Sequence, residues 1–209
     1  MESHRRQPEY AFDLSGGDLS LDFANTVSRR TVQERRTDHL TTYDDLVAFA
    51  RQSKALSLGE AEQHLSYAHQ HQQRAKAALR EALEFREVLY RAFSALAAGS
   101  QAPPSDLREI NNRAIQAMTH RKLVREDGRY RWHWRWNKAQ ALERLLWPIS
   151  QSAADLLTSS NPGDVRECNA ADCAWLFLDR SRNRSRRWCD MKTCGNREKA
   201  RRHYQREHA

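Results

Sequence analysis

No run of apolar residues in this 209-residue sequence approaches the roughly 18 to 20 that a membrane helix needs, and Met1–Phe12 lacks the apolar centre of a secretory signal. A cytoplasmic protein with no membrane partner is expected. Glycine and proline are scarce, at seven and five, which excludes collagen-like and low-complexity chains. With 39% hydrophobic and 30% charged residues, a disordered chain is excluded too. Cysteine is absent until the last quarter, where Cys168, Cys173, Cys189 and Cys194 fall together. That placement argues against disulfides stapling a secreted fold and for a local metal site in a reducing compartment. Nor is there a constellation of nucleophile, base and oxyanion donors, so no enzyme is expected.

Most of what is present reads as helix. Asp18 stands where an N-cap belongs, and Leu19, Phe23 and Val27 recur at four-residue spacing, so a short helix should enter the core there. Asp22, Asn25 and Thr26 on that segment are candidates for a ligand pocket that would take a small-molecule effector; capping or bridging of buried backbone is the alternative. Arg29 to His39 is polar and reads as loop. Thr42 with Asp45, and Ser57 with Glu60, form capping boxes that open helices near 43–52 and 58–70. Leu79, Ala82, Phe85, Leu89, Phe93 and Leu96 form an apolar stripe on a helix that Gly99 terminates. Pro103-Pro104-Ser105 reads as linker plus N-cap for a helix carrying Leu107, Ile110, Ala114 and Met118 on one side.

From Lys122 the period changes from 3.6 to 2. Asp127-Gly128 is a two-residue turn signal, and the return strand alternates Tyr130, Trp132, Trp134 and Trp136 with Arg129, Arg131, His133 and Arg135. One face of this hairpin is aromatic and the other basic. The rings could stack bases, but packing onto the helical core is expected instead. A further helix from Lys138 presents Leu142, Leu145, Leu146, Ile149, Ala153, Leu156 and Leu157, with a kink expected at Pro148. Ser159–Gly163 then divides a helical domain, 1–160, from a C-terminal module, 164–209.

That module carries the chemistry. Its spacing is Cys168-x4-Cys173, fifteen residues, then Cys189-x4-Cys194. Two close pairs of thiolates brought together by a folded segment are how small modules build a tetrahedral zinc site. Four cysteine ligands leave no open position for water or substrate, so a single structural Zn²⁺ is expected. Trp175 and Phe177 share one face of a strand after the first pair, and Cys194 lies at the N-terminus of the last helix, where the dipole favours a thiolate. The expected fold is mainly α: a helical N-terminal domain with one β-hairpin, plus a small treble-clef or ribbon-like zinc module.

The net charge of +8 is concentrated there. Between Arg180 and Arg206 eleven Arg or Lys face only two acids, Asp190 and Glu198, so the rest of the chain is close to neutral. Lys199, Arg202 and Arg206 fall at i, i+3 and i+7 of the last helix, and Arg197 and Arg201 are four apart. With Arg180, Arg182 and Arg184 these are candidate phosphate contacts for a nucleic acid. A competing reading makes some of them counterions of the tetrathiolate, with Arg184, Arg186 and Arg187 nearest Cys189 in sequence.

Cys194-Gly-Asn-Arg197, preceded by Trp175-Leu-Phe-Leu-Asp-Arg-Ser-Arg-Asn-Arg184 and Arg187-Trp-Cys189, resembles the CGNR zinc-finger family of bacterial proteins. Leu21-Asp-Phe-Ala-Asn-Thr26 is similar to the opening of the ABATE domain that accompanies that finger. The resemblance implies a transcription regulator with a helical N-terminal domain joined to a zinc-dependent DNA-binding end; the helical domain is expected to sense an effector or to form a homodimer. RNA binding by the same basic surface is the first alternative. A small-molecule-binding helical domain whose zinc finger is purely structural is the second.

Overall fold

The structure, a computed structural model, describes residues 10–135 and 142–208. Trp136 and the expected helix start at Lys138 lie outside the described residues. Helix α1 (Leu19–Ala24) is capped by Asp18, whose side chain accepts from the Ser20 N–H at 2.9 Å, and Ser20 to Ala24 are all buried. Val27 does not extend the helix as its spacing suggested. Thr26 Oγ1 donates to the Phe23 carbonyl at 2.8 Å, and the chain turns into β1 (Val27–Ser28). This strand pairs antiparallel with β2 (Thr37–Asp38), so the polar stretch expected as loop closes a small hairpin.

Helices α2 (Tyr43–Gln52) and α3 (Leu58–Gln70) start at the two capping boxes, each with its hydroxyl and carboxylate bonded reciprocally. Helix α4 (Gln72–Ala97) is the central strut, about 39 Å long. It turns Ala78, Ala82, Phe85, Leu89 and Phe93 inward, and Gly99 ends it at φ +75°. Arg86 also lies on the inward side, 2% exposed. Asp38 receives it through two hydrogen bonds of 2.7 Å, and these hold the Asp38 carboxyl below its usual range despite desolvation.

Helix α5 (Pro104–Met118) begins two residues earlier than expected. Pro103 is its N-cap and Pro104 its first residue, so Ser105 caps nothing. The helix buries Ile110, Ala114 and Ala117 and leaves Leu107 and Met118 exposed, because Asp106, ion-paired to Arg91 at 2.6 Å, takes the inward position at its start. Pro148 does not kink α6 (Leu146–Leu157). It is the third residue of that helix, where a backbone N–H would have no intrahelical partner.

Between α5 and α6 stand β3 (Arg121–Glu126) and β4 (Arg129–Trp134), paired in the expected register around Asp127 and Gly128 at φ 49° and 76°, as a type I′ turn requires. Their aromatic face does not pack onto the helical core. Tyr130 and Trp132 are 73% and 51% exposed. Among the described residues of this face, Trp134 reaches a helix, 6.0 Å from the ring of Trp147, which His120 already stacks at 4.0 Å. Helices α5 and α6 pack on one another and, through their other contacts, on α4 and α1.

The C-terminal module opens with β5 (Val165–Glu167), which pairs antiparallel with β6 (Leu176–Leu178), and it closes with α7 (Asn196–Glu207). Alternation along β6 divides its side chains between two cores. Leu176 and Leu178, with Val165, join the helical core, while Phe177 joins the cysteines. The module is therefore built onto the helical domain rather than strung from it.

Candidate metal centre and nucleic-acid interface

Cys168 and Cys173 lie in the loop between β5 and β6, Cys189 in the segment after β6, and Cys194 in the π-helical turn Met191–Gly195 that leads into α7. The four Sγ atoms lie within 4.8 Å of one another, with Cys173 to Cys189 at 3.7 Å and Cys189 to Cys194 at 3.6 Å. A zinc tetrahedron with Zn–S bonds of about 2.3 Å has S–S edges of roughly 3.8 Å. A disulfide would need about 2.05 Å. Each thiol is at most 6% exposed, and Phe177, Trp175 and Trp188 pack around the cluster. The contact between Cys168 and Cys173 pushes the first thiol down and the second up. Four thiolates cannot share this space without a cation, which is the condition a bound divalent metal relieves. These cysteines are positioned to hold one structural zinc ion.

The basic residues around the cluster divide into two groups. Arg197 Nη2 lies 3.3 Å from Cys194 Sγ and 2.7 Å from Asp172 Oδ1, so a helix residue, not Arg184, Arg186 or Arg187, serves as the direct counterion of a thiolate. Sequence distance from Cys189 misled here, because α7 starts directly at the fourth ligand. Arg186 instead donates to the carbonyls of Trp188 and Cys189 and stacks on Phe177, Arg187 lies over Trp188, and Arg184 pairs with Asp164 at 3.1 Å. Arg201 pairs with Glu198 at 3.2 Å, and buried Glu198 also accepts from the Ala171 N–H, tying α7 to the first cysteine loop. Among the described residues, Arg180, Arg182, Lys199, Arg202 and Arg206 make no ion pair. Asp172 and Glu198 were missed in the sequence. Glu198, an isolated acid in the cationic 180–206 stretch, carried a signal that could have marked it; Asp172, in the first cysteine loop, carried none.

Two family models match this chain: "Putative stress-induced transcription regulator" (ABATE) over residues 17–160, and the CGNR zinc finger over residues 165–207. The chain belongs to the ABATE family. The zinc-finger match takes in all four cysteines and the Cys194–Arg197 tetrapeptide. A search of curated proteins finds no match.

In this ABATE chain the motif around Asp22 faces the finger. Asn25 Nδ2 donates to the Leu176 carbonyl at 2.8 Å and its Oδ1 accepts the Leu176 N–H at 2.8 Å, so the side chain pairs with β6 as a neighbouring strand would. Beside it, the Leu178 N–H reaches the Gly16 carbonyl at 2.9 Å, and Trp175 Nε1 donates to the Val27 carbonyl at 2.8 Å. Thr26 accepts from Arg86 at 3.3 Å. Asp22 accepts the Gly16 N–H at 2.8 Å, and burial, with Asp18 and Asp13 nearby, pushes its carboxyl up to about 7 against that bond. Asn25 and Thr26 thus spend their side-chain polar atoms on backbone and on Arg86, and Asp22 spends one carboxylate oxygen on the Gly16 N–H. A cavity of about 530 Å³ lies elsewhere, between α5 and α6, lined by Leu107, Ile110, Ala154 and Leu157.

Proposed function

We propose that this protein is a cytoplasmic, non-enzymatic transcription regulator that grips duplex DNA with the Lys199, Arg202 and Arg206 face of α7, held in place by the zinc centre. The observation that carries this reading is the sorting of charge on that helix. Every residue of α7 except Glu198 is exposed, so the helix has no apolar face to bury. A helix polar on all sides needs a polar partner or a tether. Arg197 and Arg201 supply the tether through Asp172, Cys194 and Glu198. Lys199, Arg202 and Arg206 share the other side and meet no acid, which suits them to phosphates. Arg180 and Arg182, exposed after β6, extend the cationic surface.

The test is fluorescence-anisotropy titration of zinc-loaded protein with duplex DNA across a salt series. Binding should weaken with salt at a log–log slope of about −0.9 per phosphate contact. Lys199→Ala/Arg202→Ala/Arg206→Ala should lower affinity and make the slope shallower by about three contacts' worth. Equal binding by both proteins would refute the assignment. Tighter binding to structured RNA at matched salt would redirect it to the RNA reading.

A further inference from the structure

The β3–β4 hairpin carries a surface the finger does not explain. Cross-strand pairing sets Trp134 opposite Arg121, Trp132 opposite Leu123 and Tyr130 opposite Arg125, so these six side chains share one face. Tyr130, Trp132 and Leu123 are 73%, 51% and 58% exposed, and the Arg121 guanidinium lies over both Trp132, at 4.8 Å, and Trp134, at 5.0 Å. This cation–π contact fixes the Trp132 ring in place without burying it. From Arg121 to Arg135 six Arg or Lys stand against two acids, Glu126 and Asp127. The hairpin rests beside Trp147 at the start of α6, whereas the finger follows the end of that helix, about 18 Å further on. It is a separate cationic surface.

We infer that this face binds unpaired DNA, with bases stacking on Trp132 and Tyr130 and phosphates meeting Arg121, Arg125 and the neighbouring basic residues of the hairpin. Charge decides among the occupants. A second copy would set one strongly positive face against another. An acidic peptide would satisfy the arginines and leave two aromatic rings and a leucine uncovered. Bases within a duplex are already stacked on each other, and only a strand with free bases offers both the π-faces and the negative charge. The inference takes from the finger reading only the choice of DNA over RNA.

The experiment is anisotropy titration of full-length, zinc-loaded protein with labelled oligo-dT of about 12 nucleotides, within the site size of single-strand binders. It is run in the Lys199→Ala/Arg202→Ala/Arg206→Ala background, so that the finger contributes little. Trp132→Ala should weaken oligo-dT binding about tenfold or more, since stacking on one base accounts for roughly 5- to 150-fold. Trp132→Phe should retain most of the affinity. Tyr130→Ala, at the more exposed site, gives an independent reading should Trp132→Ala fold poorly. The inference falls if oligo-dT binding is absent, if neither alanine variant weakens it, if polyglutamate competes as well as oligo-dT, or if oligo-rU binds more tightly. It falls too if Trp132→Ala dissociates a dimer and leaves oligo-dT binding unchanged. If the finger triple variant leaves duplex binding intact, the finger reading fails while the hairpin result still stands.

Discussion

Asn25→Ala tests how the helical domain holds the finger. Asn25 is 3% exposed and Leu176 is fully buried, so truncation strands the Leu176 N–H and C=O, both now bonded at 2.8 Å, where water reaches them poorly. Each orphaned buried group costs about 1–3 kcal/mol, so a loss of about 3 kcal/mol is a conservative figure for the pair. For a chain of this size that lowers Tm by about 6 to 12 °C. The assay is thermal unfolding of zinc-loaded protein followed by far-UV circular dichroism, with zinc transfer to a colorimetric chelator measured in parallel. Release should quicken, because β6 positions the first cysteine pair. Asn25→Asp keeps the acceptor for the Leu176 N–H but sets a carboxylate against the Leu176 carbonyl, so it should not rescue stability. A Tm within about 2 °C of the parent and an unchanged release rate would refute the clamp.

The zinc centre should bind one metal per chain by native mass spectrometry, and Cys194→Ser should abolish that stoichiometry; chelation should turn four buried, slowly labelled thiols into four rapidly labelled ones. Asp22 ionises near pH 7 in the folded protein and near the ordinary 3.8 when unfolded, so the native state holds the extra proton between those values. Stability should therefore fall as pH rises from about 4 to 7 and level off above, by at most about 4 kcal/mol, and Asp22→Asn should flatten that slope in urea titrations at a series of pH values. Asp38→Ala removes the acceptor of two 2.7 Å hydrogen bonds from buried Arg86, which keeps the Glu87 carboxylate at 3.0 Å, and should cost about 1.5–3 kcal/mol by urea denaturation. Arg86→Met leaves the Asp38 and Glu87 side chains, each about one-third exposed, to rehydrate, with Arg30 still on Glu87, and should cost less; the reverse order would refute the assignment of burial within this cluster.

What the sequence made legible was what local chemistry decides. Capping boxes, the Asp127-Gly128 turn, Gly99 and the cysteine spacing each act within a few residues, and each sits where the pattern put it. Features set by distant partners were hidden. The inward turn of α5 depends on Arg91 receiving Asp106, fifteen residues away. The exposure of Tyr130 and Trp132 depends on what α5 and α6 leave uncovered. The role of Asn25 depends on Leu176, 151 residues later. Arg197 was misjudged for the same reason: its partner Asp172 lies 25 residues upstream and is brought near only when the cysteine loops close.

Because β6 is common property of two cores, the break that Ser159–Gly163 suggests is not a place to cut. A fragment ending there would leave the helical core open where Val165, Leu176 and Leu178 belong, and a fragment starting there would carry those side chains, and an uncovered strand edge, into solvent. Each half would be sticky. In the intact chain the same seam works as a rigid joint. A pull on α7 passes through Glu198 and the cysteine loops into β6, and from there into α1 and α4, without a flexible tether to absorb it. Whatever α7 grips, the helical domain feels the load.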